Sequence, residues 1–391
     1  MKSLIPFLIF IVVFLVYFFS NLHPLGWYKH YVFLADSFLK GRLDVPQLPE
    51  YYQDVVFFNG KKFLPFAPAP AIFLMPLVAI FGTDLNQVRI SMIIGTMNVV
   101  LMWLILGKLS LKPIIRLLLI LGFAFGTVHF YAAITGTTWF FAHIMAVFFL
   151  SLAILERFGK SRPLILGFLV GLAFLSREPT ILSVPFFAWP FFKKRRFDAL
   201  IYFSVGILPL LFFQGFYNHF RFNDIFEMGY IFVYQRAVAN SSLQYSLSRI
   251  WWPDLAAFGQ FDIRNIPLHF YTIFLMLPKF SPAWPFLFPS PYGLSVILTS
   301  PFLIYSIFSK NNLSKPCWIT ILLISIPIFL HFTQGWIQFG YRFILDFLPF
   351  LLILTALGFF HKGSLRLKTI LVMFSIVVNV WGNWWARTLG W

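Results

Sequence analysis

A short polar segment, YYQDVVFFNGKKFLPFAPAPA (51–71), interrupts a chain that is otherwise apolar and poor in charge. Within it, Asp54 lies in a tyrosine-rich turn, eleven residues before the first of three prolines that discourage a regular helix. Such a carboxylate can accept or orient the proton of an attacking hydroxyl, while aromatic faces stack against a sugar. We therefore predict Asp54 to be a catalytic base, with Tyr51, Tyr52 and Phe57 as sugar contacts. The alternative is that Asp54 only caps a turn.

Two more polar side chains lie upstream, in WYKHYVFLADSFLKG (27–41), which is predicted to be an amphipathic helix along the membrane surface. Asp36 is a second catalytic candidate at a position that faces solvent. His30 is predicted to bind substrate, unless its ring only extends toward the interface. Lys61 and Lys62 follow an Asn-Gly turn and are predicted to bind phosphate as point charges, or else they only solvate the loop.

Arg342 has a special position because it lies at the outer end of a predicted membrane span. A charge within a membrane helix costs at least about 2.5–3.5 kcal/mol, so it is retained for function or paired. We predict that Arg342 contacts a phosphate, with the preceding Tyr341 also in the binding site. The alternative is an ion pair with Asp346 at the i,i+4 spacing of a helix.

The remaining predicted substrate-binding residues lie at the mouths of other spans and in the second outer loop: Trp139, His143, Arg177, Glu227 and Tyr230. Alternative interpretations are that the Arg177 side chain pairs with a neighbour and that the His143 ring is a packed hydrogen-bonding group. The sequence contains no DxD motif and no clustered carboxylate triplet, although hard cations prefer several oxygen ligands. We therefore predict no metal and no cofactor, although a divalent ion remains compatible with the predicted chemistry.

The composition places these residues in a membrane protein. The chain has 391 residues, of which 60% are hydrophobic and 11% charged, whereas soluble domains carry about 25% charged residues. The net charge of +17 is divided into short clusters between apolar runs, which is typical of topology signals rather than of a nucleic-acid interface. The single cysteine, Cys317, excludes an intrachain disulfide and a cysteine metal cluster.

The predicted fold is an all-α polytopic membrane protein with one integral-membrane catalytic domain over 1–391. Eleven spans are predicted: 4–20, 88–106, 113–130, 138–155, 163–178, 181–192, 198–217, 291–308, 316–332, 342–361 and 369–385. Sixteen of the thirty lysines and arginines then fall in very short segments on one side, which predicts a cytoplasmic N-terminus and an outside C-terminus.

Two long loops, 21–87 and 218–290, are predicted to lie on the outer side of the cell membrane. Within them, the apolar pieces 68–82 and 263–280 are too short and proline-rich for regular spans. We predict that the first is embedded in the outer leaflet and that the second dips into the membrane, unless it pairs with a neighbouring segment as a span. Eleven of the thirteen acids fall outside or at outer span ends, which predicts chemistry at the outer face.

In their joint order, seven segments resemble polytopic glycosyltransferases of the GT-C superfamily, especially members similar to protein O-mannosyltransferases and to lipid A aminoarabinose transferases. The segments are LADSFLKGRLDV (34–45), the stretch at 51–71, GTDLNQVRISMIIG (82–95), TGTTWFFAH (135–143), GLAFLSREPTIL (171–182), YNHFRFNDIFEMGY (217–230) and GWIQFGYRFILDFLPF (335–350). In one respect the chain departs from this family. The best-known members carry adjacent acids just before the surface helix, where this chain reads HPLGWYKHY, so the family's base has no direct counterpart.

The resemblance implies an inverting hexosyl- or pentosyltransferase whose partners are a polyprenyl-phosphate-linked sugar donor, membrane lipids and a lipid, glycan or protein acceptor. It implies that a loop carboxylate handles the acceptor proton and that cations stabilise the departing phosphate. Two other classes are weighed against it: a transporter or flippase of a lipid-linked or anionic solute, and a non-catalytic membrane scaffold. Transporters tend to carry internal repeats and charges near the midplane, whereas these charges gather at the outer rim.

Overall fold

The computed structural model describes residues 4–24, 26–233 and 259–390. Part of the predicted second outer loop, from 234 to 258, therefore lies outside the described residues. The α-helices are α1 Leu4–Ser20, α2 His30–Leu39, α3 Ala69–Phe81, α4 Gln87–Leu106, α5 Pro113–Phe125, α6 Val128–Thr135, α7 Thr138–Phe158, α8 Pro163–Phe174, α9 Val184–Lys193, α10 Phe197–Phe222, α11 Ile266–Phe270, α12 Val296–Thr299, α13 Ser314–Leu330, α14 Leu348–His361 and α15 Leu365–Thr388.

Shorter elements connect these helices. The 3₁₀ helices are Gly82–Asp84, Glu178–Ser183, Ile263–Asn265, Pro301–Phe308 and Arg342–Asp346, and a π-helix covers Tyr271–Leu275. The strands form two antiparallel hairpins, one from β1 Val56–Phe58 and β2 Lys61–Phe63, the other from β3 Lys279–Phe280 and β4 Leu287–Phe288. The molecule is therefore mostly helical, as predicted.

Among the described residues, four helices are long and apolar enough to cross a membrane: α4, α7, α10 and α15. The helices α5 and α6 add a fifth if this pair, bent by 48°, forms one span. The predicted count of eleven is not confirmed, because several predicted spans consist of short helices. Prolines explain the breaks: predicted span 291–308 consists of α12 and a 3₁₀ helix that starts at Pro301, and 342–361 begins as a 3₁₀ helix before Pro349.

The helix α7 forms the centre of the bundle, and 83% of its most apolar stretch is buried inside the protein. Beside it, α8 and α10 approach each other closely through two glycines. A Cβ atom on Gly167 would lie 2.0 Å from the Phe203 carbonyl oxygen, and one on Gly206 would lie 2.2 Å from the Leu164 carbonyl oxygen. Small residues at such contacts let helix backbones approach closely. This packing fixes the end of α8, after which two site residues follow.

The first predicted outer loop folds into α2, the hairpin of β1 and β2, and α3. The helix predicted over 27–41 is confirmed in α2, and its buried face packs mainly against α3. The predicted Asn-Gly turn is also confirmed, since Asn59 and Gly60 join the strands with φ values of 47° and 72°, as in a type I′ turn. The hairpin is tied to the loop before it by a hydrogen bond of 2.7 Å from the Val45 amide to the Lys62 carbonyl. Asp54 lies immediately before this anchored hairpin.

Candidate functional site

A cavity of about 730 Å³ lies where eight parts of the chain meet. They are α2, the turn before β1, residues 66–67, the start of α7, the end of α8 with the segment after it, residues 226–231, residues 259–261 and the segment from the end of α13 to the 3₁₀ helix Arg342–Asp346. Its polar lining consists of Tyr31, Asp54, Thr138, Trp139, His143, Ser176, Arg177, Glu178, Glu227, Tyr230, Gln260, His331, Thr333 and Arg342. The structure thus brings together seven of the residues predicted from the sequence: Asp54, Trp139, His143, Arg177, Glu227, Tyr230 and Arg342.

The Asp54 carboxylate is held in the cavity wall by a hydrogen bond of 2.7 Å from the Trp139 indole Nε1 to its Oδ2. Its φ of 55° is left-handed, a conformation that aspartate adopts more readily than most residues. Burial raises the pKa of the Asp54 carboxyl, although the Trp139 hydrogen bond and the positive charge of Arg342 oppose that shift. A carboxylate with a raised pKa is a stronger base, which suits it to accept a proton.

His30 lies behind the part of the cavity wall that contains Asp54 and Trp139, and it fixes the position of this part. Its ring is fully buried, with Nδ1 2.8 Å from the Thr138 hydroxyl and Nε2 donating to the Gln53 carbonyl over 2.9 Å. Burial lowers the pKa of His30 to about 4, so the ring is neutral at physiological pH. His30 therefore joins the residue before Asp54 to the first turn of α7. It does not line the cavity, where it was predicted to bind substrate.

Asp346 lies behind the opposite wall and is completely buried. Its Oδ1 lies 2.7 Å from His143 Nδ1, and its Oδ2 accepts a hydrogen bond of 3.1 Å from Arg177 Nη2. The alternative interpretation of an Arg342–Asp346 ion pair is wrong for the described structure. Residues 342–346 form a 3₁₀ helix with three residues per turn, so side chains four apart do not lie on one face.

The guanidinium of Arg342 consequently forms no salt bridge with any residue that the structure describes, although the negative charge of Asp54 in the same cavity acts on it. The residue is only 9% exposed. Its Cζ lies 5.5 Å from the centroid of the Phe140 ring and 5.3 Å from the centroid of the Phe343 ring. One nitrogen, Nη1, donates to the Trp336 carbonyl over 3.2 Å, whereas Nε has no hydrogen-bond partner. A buried cation is costly unless it is paired. An anionic group in the cavity would supply the missing partner.

The second predicted catalytic residue, Asp36, lies outside the cavity wall. It is on α2, where its Oδ2 accepts hydrogen bonds from Lys40 Nζ at 2.7 Å and from Gln47 Nε2 at 2.8 Å. The pair with Lys40 has the i,i+4 spacing of a helix surface. The structure therefore gives Asp36 local partners and separates it from the other predicted site residues.

Four further predicted substrate-binding residues also lie outside the cavity wall: Tyr52, Lys61, Lys62 and Tyr341. The buried Tyr52 packs edge-on against His30 at 4.6 Å. The two lysines belong to β2 of the hairpin, on the far side of its turn from Asp54. The Tyr341 hydroxyl lies 2.6 Å from His269 Nδ1, because the buried face of this segment turns away from the cavity.

The cavity lining also contains three titratable residues that are not among the predicted substrate-binding residues: Tyr31, Glu178 and His331. Glu178 follows Arg177 directly and forms no salt bridge among the described residues, so it remains available to a ligand. His331 follows the last residue of α13, and its Nδ1 lies 3.0 Å from the Thr333 carbonyl oxygen. Glu178 could have been predicted because it lies beside Arg177, a predicted binding residue at the mouth of a span. Nothing in the sequence indicated that His331 would line the cavity.

No group of three or more His, Cys, Asp or Glu side chains that could hold a metal ion occurs in residues 4–24, 26–233 and 259–390. Two of the acids near the cavity already have protein partners. Asp54 accepts from Trp139, and Asp346 from Arg177.

Comparison with known proteins found no matching family model, curated protein or solved structure. The resemblance to GT-C glycosyltransferases accordingly remains a prediction from the sequence segments alone. The geometry of the cavity is the physical basis on which a function can be argued.

Proposed function

We propose that the protein is a membrane glycosyltransferase that moves a sugar from a polyprenyl-phosphate-linked donor to an acceptor hydroxyl. The observation that carries the proposal is the combination of two groups in one cavity. These are the buried Arg342 guanidinium, which has no carboxylate partner among the described residues, and the Asp54 carboxylate, whose pKa is raised. The guanidinium can bind an anion, and the carboxylate can accept a proton. A glycosyl transfer from a lipid phosphate needs both.

Arg342 is proposed to bind the phosphate that links the lipid to the sugar. A guanidinium presents a planar fork of donors that matches phosphate oxygens, and Arg342 lines the cavity. As the bond from phosphate to sugar breaks, its electrons move onto the phosphate oxygen. A fixed positive charge close to that oxygen stabilises the transition state more than the ground state.

Asp54 is proposed to accept the proton of the attacking hydroxyl. In this step the acceptor oxygen forms a bond to C1 of the sugar, the bond from C1 to the phosphate oxygen breaks, and the hydroxyl proton moves to Asp54. Direct displacement of this kind inverts the configuration at C1. The Trp139 indole holds Oδ2, so Oδ1 remains available to the acceptor.

The shape and lining of the cavity support a lipid-linked ligand. Its volume of about 730 Å³ falls in the range of about 300–1,000 Å³ that is usual for ligand pockets. The apolar side chains that line it include Phe66, Phe174, Ile181, Leu182 and Ile328. These surfaces suit the first isoprene units, while the charged groups suit the phosphate and the sugar. Arg177 is already neutralised by Asp346, which supports the assignment of the phosphate to Arg342.

The long apolar helices indicate a membrane protein. We propose further that it is a multi-pass protein of the cell membrane, with a cytoplasmic N-terminus and with the cavity and both long loops outside. The basic clusters between apolar segments motivate this orientation. Reporter fusions after Arg196 and after Lys368 should then report the cytoplasm, whereas a fusion at Asn59 should report the outside. Finding Asn59 and Arg196 on the same side would contradict the orientation.

Turnover by the purified protein tests the proposed reaction. A radiolabelled polyprenyl-phosphate sugar is incubated with the protein in lipid nanodiscs, with and without candidate acceptors, and release of polyprenyl phosphate is measured. We expect acceptor-dependent release. If no sugar lipid is turned over, and the protein in liposomes moves solute without an acceptor, the proposal fails in favour of a transporter.

A further inference from the structure

The guanidinium of Arg342, which forms no salt bridge with the described residues, is held by the segment 333–341 between α13 and the 3₁₀ helix Arg342–Asp346. Gly335 in this segment has a φ of +91°, a left-handed conformation that glycine adopts without steric cost. A Cβ atom at this position would lie 2.9 Å from Cζ of Arg342 and 3.0 Å from its Nη2. Only the absence of a side chain at Gly335 therefore lets the guanidinium occupy its place.

Gln338 fixes the path of the same segment. Its side chain is completely buried, and its Nε2 donates to the carbonyls of Gln334 and Tyr292, each over 2.8 Å. The side-chain Oε1 accepts a long hydrogen bond of 3.4 Å from the Arg342 amide. One buried amide group thus joins the start of the segment, a neighbouring loop and the backbone of Arg342. None of these bonds uses the Arg342 guanidinium itself.

The arrangement restrains the cation without neutralising it. The guanidinium donates from Nη1 to the Trp336 carbonyl of this segment, and its Nε has no hydrogen-bond partner within the described part of the chain. Side chains that are held in place before a ligand arrives lose less entropy when it binds. The segment is therefore a preformed cradle for Arg342, and it adds no opposite charge that would compete with an anion.

We propose that Gly335 and Gln338 are positioning residues that set the affinity of the cavity for the anionic group of its ligand, acting through Arg342. The inference rests on the proposed anion-binding role of Arg342 and does not depend on sugar transfer. Neither residue lies in the cavity lining, so any effect on the ligand must pass through the cradle.

The test measures binding of farnesyl phosphate and of farnesol, which lacks the phosphate, to the full-length protein in nanodiscs by isothermal titration calorimetry. Gln338→Met keeps the length of the side chain and removes its hydrogen bonds. We expect it to weaken farnesyl phosphate binding about tenfold and to leave farnesol binding unchanged. Gln47→Met, in the loop after α2, is the matched control and should change neither affinity.

A double-mutant cycle separates positioning from a general structural role. In an Arg342→Ala background, Gln338→Met should cause no further loss of farnesyl phosphate affinity, because the group it positions is gone. A tenfold loss that persists in this background, or equal weakening of farnesol, would overturn the inference. Should Gln338→Met not yield folded protein, Gln338→Leu, which also removes the side-chain hydrogen bonds and leaves the backbone at Gly335 unchanged, is measured against the same expectations.

Binding and turnover measured with the unsubstituted protein distinguish failure of this inference from failure of the proposed reaction. Preferential binding of farnesyl phosphate over farnesol, without turnover of any sugar lipid, would end the glycosyltransferase proposal and leave the cradle supported. Equal binding of the two lipids would overturn the role of the cradle.

Discussion

Asp54→Asn is expected to lower sugar transfer by about 10²–10⁴-fold, the usual effect of removing a general base. Asparagine has nearly the same size, and its side-chain oxygen can still accept the hydrogen bond from Trp139 Nε1. It cannot accept a proton from the attacking hydroxyl at neutral pH. The protein should therefore remain folded and inserted, while acceptor-dependent release of polyprenyl phosphate is lost.

Asp36→Asn is the matched control, because Asp36 lies outside the cavity and pairs with Lys40. It should retain near-parental turnover. The pH profile gives a second criterion, since burial raises the pKa of Asp54 and only the ionised carboxylate is a base. Activity should fall as the pH drops through a value above the ordinary range of aspartate, about 3.9. Near-normal turnover by Asp54→Asn would exclude Asp54 from the mechanism and direct attention to Glu227, which also lines the cavity.

Arg342→Ala is expected to weaken use of the donor by about tenfold to a hundredfold, since hydrogen bonds to charged groups contribute about 1.5–3 kcal/mol. Arg342→Lys keeps the charge but loses the planar fork and cannot reproduce the contacts of the guanidinium with its cradle. It should therefore be impaired as well, though less than the alanine variant. Donor binding and KM, measured with the polyprenyl-phosphate sugar, report the effect.

Arg42 provides the control for both changes, because its guanidinium pairs with Asp44 outside the cavity. Arg42→Ala and Arg42→Lys should bind the donor as the parent does. The phosphate assignment is wrong if the two Arg342 variants also bind it like the parent.

The sequence alone predicted the local structure of the site well where short-range physics decides it. The Asn-Gly dipeptide predicted the turn at Asn59, and apolar length predicted α1 and α7 closely. The side chain that holds Asp54 could not be predicted in the same way. Trp139 is 85 residues away along the chain, and only the packing of the first outer loop against α7 brings its indole to the carboxylate.

The predictions failed where a regular helix was assumed. The i,i+4 pairing of Arg342 with Asp346 required an α-helix, whereas the chain forms a 3₁₀ helix before Pro349. The actual partner of Asp346 is Arg177, 169 residues away. Which of the two arginines forms the salt bridge with Asp346 is therefore a property of the tertiary structure. No periodicity in the sequence indicates which arginine pairs with Asp346.

A structure of the Asp54→Asn variant, determined by electron cryomicroscopy with a polyprenyl-phosphate sugar bound, tests the central claim most directly. Because the Asp54→Asn variant is expected to transfer the sugar slowly, the donor should remain intact during the measurement. The account predicts the phosphate about 3 Å from the Arg342 guanidinium, with C1 of the sugar facing residue 54 inside the cavity. A phosphate bound outside the cavity, for example at Lys61 and Lys62 of the hairpin, would contradict it.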